Sequence, residues 1–282
     1  LGYSNKNQSR ISISLNSLDE YIRDLSDAIC TPEPSYEEIG VKVDGQYRQL
    51  NANLLQIENE YYSSIRPKRV ARSGERPTAA LRRAGVEYVE VRSLDINMFD
   101  PSGINQNTMR FLEAFLLYCL FEDSPKIDAA ELDDISYNHT GTAKRGRDPD
   151  FRLRRNGREV ALREWASEIL DKVHAVSQVI DRHDDNYSAA IASLRRLVDE
   201  PEATLSSRIV RELEDTGSSF FEFARGMAKC HRDYFASIAP LSDVKADTFA
   251  TEATDSLQRQ EAIEAADAIS LDEYLERYFR RC

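Results

Sequence analysis

Residues 86–95 read Val86-Glu87-Tyr88-Val89-Glu90-Val91-Arg92-Ser93-Leu94-Asp95, with apolar and polar side chains alternating along them. A period of two is the repeat of a strand, so Val89 and Val91 fall on one face and Tyr88, Glu90, Arg92 and Leu94 on the other. A carboxylate and a guanidinium therefore stand side by side, roughly 6.5 to 7 Å apart along the strand. Such a pair is either a metal-binding carboxylate beside a phosphate-binding arginine, or an ion pair on a solvated sheet face; the segment by itself leaves both open.

Upstream, Leu54 to Tyr62 repeats the alternation, with Leu55, Ile57, Asn59 and Tyr61 on one face and Gln56, Glu58, Glu60 and Tyr62 on the other. A second polar-faced strand is expected there, lining a cleft with the first. It runs into Ser63-Ser64-Ile65-Arg66-Pro67-Lys68-Arg69, a connection whose three cations suit polyphosphate or simply balance nearby acids in a solvated loop. Nearer the start, Ile11, Ile13 and Leu15 alternate with Ser12 and Ser14 as a strand would. A helix should follow, with Leu18, Tyr21, Ile22, Leu25 and Ile29 on one face and a capping-box pattern from Ser17 to Glu20, ended by Thr31-Pro32-Glu33-Pro34. Asp44-Gly45, flanked by Val41-Lys42-Val43 and Gln46-Tyr47-Arg48, marks a tight hairpin.

From Gln106 the pattern turns helical. Met109, Leu112, Leu116 and Leu120 line one helix, and Leu162, Trp165, Ile169, Val173, Val176 and Ile180 another. Further helices are expected at 187–198, 204–215, 218–237 and 252–279, with Gly146-Arg147-Asp148-Pro149 as a loop. The expected class is α+β, with a sheet-containing catalytic part over 1–105 and a helical part over 106–282 packed on the same domain, without a linker between them.

The composition supports a folded chain: 282 residues, 41% hydrophobic and 30% charged. A net charge of −12 repels a phosphate backbone and disfavours general nucleic-acid binding. The longest apolar-rich stretch, Phe111 to Phe121, carries Glu113 and falls far short of the roughly 20 residues that span a bilayer. Cys30, Cys119, Cys230 and Cys282 lie far apart without ligand spacing, which argues against zinc and a disulfide framework; reduced thiols in a cytosol are expected. His139, His174, His183 and His231 also lack ligand spacing, and adjacent Cys230 and His231 do not face each other on a helix. No phosphate-binding glycine loop and no nucleophile constellation stands out. The chain begins with Leu1, not Met, and is expected to be a piece of something longer.

The run from Leu54 to Arg69, followed by Val86 to Leu94 and Asp95-Ile96-Asn97, resembles the proteobacterial-type glutamate-cysteine ligases, or γ-glutamylcysteine synthetases. Weaker similarity covers nearly all the rest, including Leu1-Gly2-Tyr3-Ser4-Asn5-Lys6, Ser207-Arg208-Ile209-Val210 and Glu264-Ala265-Ala266-Asp267. The chain looks like roughly the C-terminal half of such an enzyme. The resemblance implies a glutamine-synthetase-like antiparallel sheet forming a cup for substrates and ATP, with helices outside. It also implies the reaction: ATP phosphorylates the γ-carboxylate of L-glutamate and the amine of L-cysteine attacks the acyl phosphate, the first step of glutathione synthesis. ATP with magnesium or manganese, a cytoplasmic location and the N-terminal half of the same enzyme as partner are implied with it, and no nucleic acid or membrane.

Residue by residue, Glu90 matches a metal carboxylate, Arg92 the catalytic arginine facing the transferred phosphate, and Tyr3 and Tyr62 tyrosines of the cysteine pocket. Arg66, Lys68, Arg69, Glu58 and Asn59 are expected in nucleotide-binding or structural roles. The family's other metal carboxylates, a metal histidine and much of its glutamate pocket precede this stretch, so the chain alone is expected to be inactive or nearly so. Two other functions fit the same residues: a non-catalytic half that binds or regulates a partner, and a related carboxylate-amine ligase using another amine.

Overall fold

Ser17 opens the first helix by accepting a hydrogen bond from the Glu20 amide at 3.1 Å. Tyr21, Ile22, Leu25, Ala28 and Ile29 are then buried along one face, as their spacing predicts. The computed structural model describes residues 11–182, 184–238 and 242–280. Its elements are, in chain order, α1 (Leu18–Cys30), α2 (Pro34–Glu37), β1 (Lys42–Val43), β2 (Gln46–Tyr47), β3 (Ile65–Lys68), α3 (Pro77–Ala84), β4 (Tyr88–Val91), α4 (Gln106–Phe121), α5 (Ala129–Arg145), β5 (Arg152–Arg155), β6 (Arg158–Ala161), α6 (Leu162–Ile180), α7 (Asn186–Asp199), α8 (Leu205–Thr216), α9 (Phe220–Ser237), α10 (Asp243–Ala265) and α11 (Leu271–Phe279). The class is α+β; the strands form three antiparallel pairs, β1-β2, β3-β4 and β5-β6.

The chain divides into two compact units, one spanning Leu94–Ser237 and one combining the described residues of Ser4–Ser93 and Ile238–Cys282. In the combined unit, α1 packs Tyr21, Ile22, Leu25, Ala28 and Ile29 against Ile13, Leu55 and Leu81. Asp44 and Gly45 turn the first hairpin with φ of 51° and 78°, the left-handed geometry its dipeptide favours. Lys42 Nζ (2.8 Å) and the Tyr47 hydroxyl both donate to Asp272, tying that hairpin to α11. In the Leu94–Ser237 unit, α4, α6 and α7 share a core of Ala114, Leu170, Val173 and Ile191.

Five expectations are corrected. Leu54 to Tyr62 is not a strand: Asn53 makes one bridge to Pro32, and Glu58–Glu60 is a single 3₁₀ turn. Polar side chains hold this segment by bonds that compete with a strand ladder. Asn51 Nδ2 donates to the Gln56 carbonyl, Asn53 Nδ2 to the Ile29 carbonyl, and Gln56 Oε1 accepts from the Leu50 amide. Residues 11–15 likewise form no strand, because the Ser14 amide and hydroxyl are taken by Asp24 (2.9 Å) and Glu20 (2.6 Å). The basic connection at 65–68 is a strand, with Pro67 tolerated because β3 is an edge. The single helix expected at 252–279 is two, α10 and α11, the second started by Ser270 accepting from the Glu273 amide. Cys30 is disulfide-bonded, which corrects the expectation of reduced thiols at that residue; Cys119 and Cys230 are free.

Candidate active site

The β3-β4 register places Arg66 opposite Glu90 and Lys68 opposite Tyr88. Directly opposed residues share a face, so Arg66, Lys68, Tyr88, Glu90 and Arg92 project from one side of the hairpin. The Arg92 amide donates to the Ser64 carbonyl at 2.7 Å, carrying the pairing one residue past β4. Glu90 Oε2 lies 3.9 Å from Arg66 Nε and 4.0 Å from Arg92 Nε, close enough for strong attraction but beyond hydrogen-bond distance. The Arg92 guanidinium stacks on Tyr62, 4.9 Å from the ring centroid.

Arg66 is the buried member, with 7% of its side chain exposed against 34% for Arg92. Its Nη1 reaches the Asn59 carbonyl at 3.4 Å. Arg66 Nε and Nη2 and Glu90 Oε2 are buried without hydrogen-bond partners among the described residues. Desolvated polar atoms left unpaired are costly, and here three converge on one spot of net positive charge. Such a spot suits an oxyanion, whose oxygens would complete the guanidinium bonds.

The other expected residues separate by role. Arg69 faces away from this cluster, its Nε donating to the Gly85 carbonyl at 2.6 Å and its Nη1 lying 3.7 Å from Glu87. The Lys68 ammonium makes no ion pair among the described residues. Glu58 is fully engaged: Arg76 Nε donates to it at 2.9 Å, the Thr78 amide at 3.3 Å, and the Thr78 hydroxyl as well. It thereby caps the N-terminus of α3. Asn59 contributes its carbonyl to Arg66 and exposes its side chain. Tyr3 lies outside the described residues.

Sequence reasoning missed Arg76 and Thr78, which sit 18 and 20 residues from Glu58 and share no local period with it. Pro77 at the first turn and Gly85 at the end were the available signs of α3. It also missed Tyr21. Burial, then the charges of Tyr61, Glu58 and Glu90, push the Tyr21 phenol up to about 12, so it stays neutral beside the cluster.

A divalent cation finds one suitable donor here, the unbonded Glu90 Oε2, flanked by two guanidiniums. No group of three or more His, Cys, Asp or Glu among the described residues could hold a metal. Magnesium is often held by one or two carboxylates plus substrate phosphates, so Glu90 fits as one ligand of such a site and not as a complete one.

The fold and this hairpin define an α+β protein that carries a cluster of two guanidiniums and one carboxylate on a two-stranded antiparallel ribbon. The glutamate-cysteine ligase model matches residues 1–142, and the chain belongs to the glutamate-cysteine ligase family. It is 48% identical to the glutamate–cysteine ligase of Alcanivorax borkumensis, over 99% of this chain and 54% of that protein, and 45% identical to that of Shewanella oneidensis, over 99% and 53%. The crystal structure of a glutamate–cysteine ligase from Francisella tularensis, in complex with AMP, superposes with a TM-score of 0.92 at 33% identity, covering 99% of this chain and 55% of that one. A bifunctional glutathione synthetase from Pasteurella multocida shares the fold at a TM-score of 0.54 and 17% identity, over 80% of this chain and 25% of that one. The chain spans about half the length of the curated relatives it matches.

Proposed function

We propose that this chain is the C-terminal part of a glutamate-cysteine ligase, which joins the γ-carboxylate of L-glutamate to the amine of L-cysteine with ATP as phosphoryl donor. The observation that carries the reading is the convergence of Arg66, Glu90, Arg92 and Tyr62 on one hairpin, inside the segment that matches the family. Phosphoryl transfer asks a protein for positioning and charge neutralisation and not for a nucleophile, in keeping with a site made of guanidiniums and a carboxylate.

In this reading Arg92 meets the transferring phosphoryl oxygens, its plane held by the Tyr62 ring. Arg66, whose unbonded Nε and Nη2 already face the cluster, neutralises the same charge from the buried side. Glu90 would supply one oxygen to magnesium or manganese, which when bound withdraws charge from the phosphates. The remaining ligands and the glutamate pocket would come from polypeptide accounting for the rest of the relatives' length.

The test is ADP release dependent on both glutamate and cysteine. The 282-residue chain alone is expected to show little or none, and co-expression with the remaining half of the ligase should restore it. In the restored enzyme Arg92→Ala and Glu90→Gln should each lower turnover by about a hundredfold or more, the scale of losing one charge-stabilising contact. Unchanged rates at saturating metal would remove both residues from the site. Equal rates with other amino acids in place of cysteine would point to a different amine substrate.

A further inference from the structure

We propose that a cavity among α1, α3 and α11 is a second small-molecule site that takes a planar organic anion. The cavity measures about 670 Å³, within the size range of ligand pockets, and lies wholly inside the combined unit. Its lining includes Arg76, Arg82 and Arg277 together with Tyr274 and Tyr278. None of these residues belongs to the Arg66, Glu90 and Arg92 cluster, and the proposal stands independently of the ligase reading.

The charges in the wall are unequal. Arg76 is neutralised by Glu58 and lies against the Tyr278 ring, 5.3 Å from its centroid, forming a fixed back wall. Glu75, the carboxylate in the lining, is already held by Arg83 at 2.7 Å and by the Arg72 amide at 2.9 Å. Arg277 pairs with exposed Glu273 one turn earlier on α11. Arg82 has no ion pair among the described residues. In a chain of net charge −12, the cavity thus keeps an uncompensated guanidinium and a second with only a surface partner.

The tyrosines set the shape of the ligand. Tyr274 and Tyr278 stand 6.0 Å apart with their planes 31° from parallel, and Tyr274 is 44% exposed. A flat ring sliding over Tyr274 would stack at ordinary aromatic separation and bring an attached anionic group to Arg82 and Arg277. An aromatic carboxylate and a nucleoside monophosphate share this chemistry.

Isothermal titration calorimetry of the 282-residue chain with 4-hydroxybenzoate and with AMP separates the two sources. At least one should bind at about one site per chain, and the tighter identifies the anionic group preferred. The double variant R82A/R277A should weaken that binding about tenfold or more, and Tyr274→Leu several-fold, while Arg92→Ala leaves it unchanged. Arg82→Gln, an exposed change without partners to lose, carries the test by itself if the double variant fails to fold. Absence of binding at millimolar ligand overturns the proposal. So does binding that Arg92→Ala abolishes and Arg82→Gln does not, since the ligand would then sit on the hairpin.

Discussion

Glu58 exposes 1% of its side chain and accepts from Arg76 and Thr78, whereas Glu90 exposes 37% and its Oε2 accepts from no donor among the described residues. Both look like the same residue in the sequence, a Glu in an alternating stretch. Their surroundings divide them into a structural pin and a candidate ligand. Arg76→Met would strand Glu58 as an uncompensated buried charge and should cost about 3–5 kcal/mol, read from denaturant unfolding of the isolated chain. Tyr21 gives a pH signature. Its neutral form is favoured in the fold, so its contribution is fully present below the ordinary phenol value of 10 and is lost as pH rises through about 12. Alkaline unfolding midpoints should therefore move less between pH 10 and 12 in Tyr21→Phe than in the parent; identical profiles would remove Tyr21 as the cause.

At the scale of elements, α5 carries Gly141 in its interior, a position where propensity favours alanine by about 1 kcal/mol. A Cβ there would collide with the ring of Phe151, the residue just before β5, which is buried at 3% exposure. Gly141→Ala should consequently destabilise the Leu94–Ser237 unit by about 1–3 kcal/mol despite the better helix former. A gain in thermal midpoint would show that the ring moves aside freely. The β5-β6 hairpin, which the sequence reading passed over, turns at Asn156-Gly157 with φ of 52° and 71°, the same left-handed geometry as Asp44-Gly45. The Asp44-Gly45 turn and α1 were readable because their causes lie within a few residues. Residues 54–62 were misread because their causes do not: Asn53 bonds the Ile29 carbonyl 24 residues away, and Glu58 waits for Arg76.

For the whole molecule, the family assignment and the half-length span together frame the function. No described helix is long and apolar enough to cross a membrane. From the amino-acid order alone one could read an α+β chain of the glutamate-cysteine ligase family, the course of most helices, and the shared face of Glu90 and Arg92, because periodicity and motif are local properties of the chain. It took the folded chain to show that Arg66 stands opposite Glu90, that Glu58 is pinned by Arg76 and Thr78, and that the described residues of 238–282 join those of 4–93 as one unit. Those facts depend on strand register and on side chains meeting across 18 to 230 residues of sequence, and such pairings are set by which buried charges and rings find partners once the chain has closed.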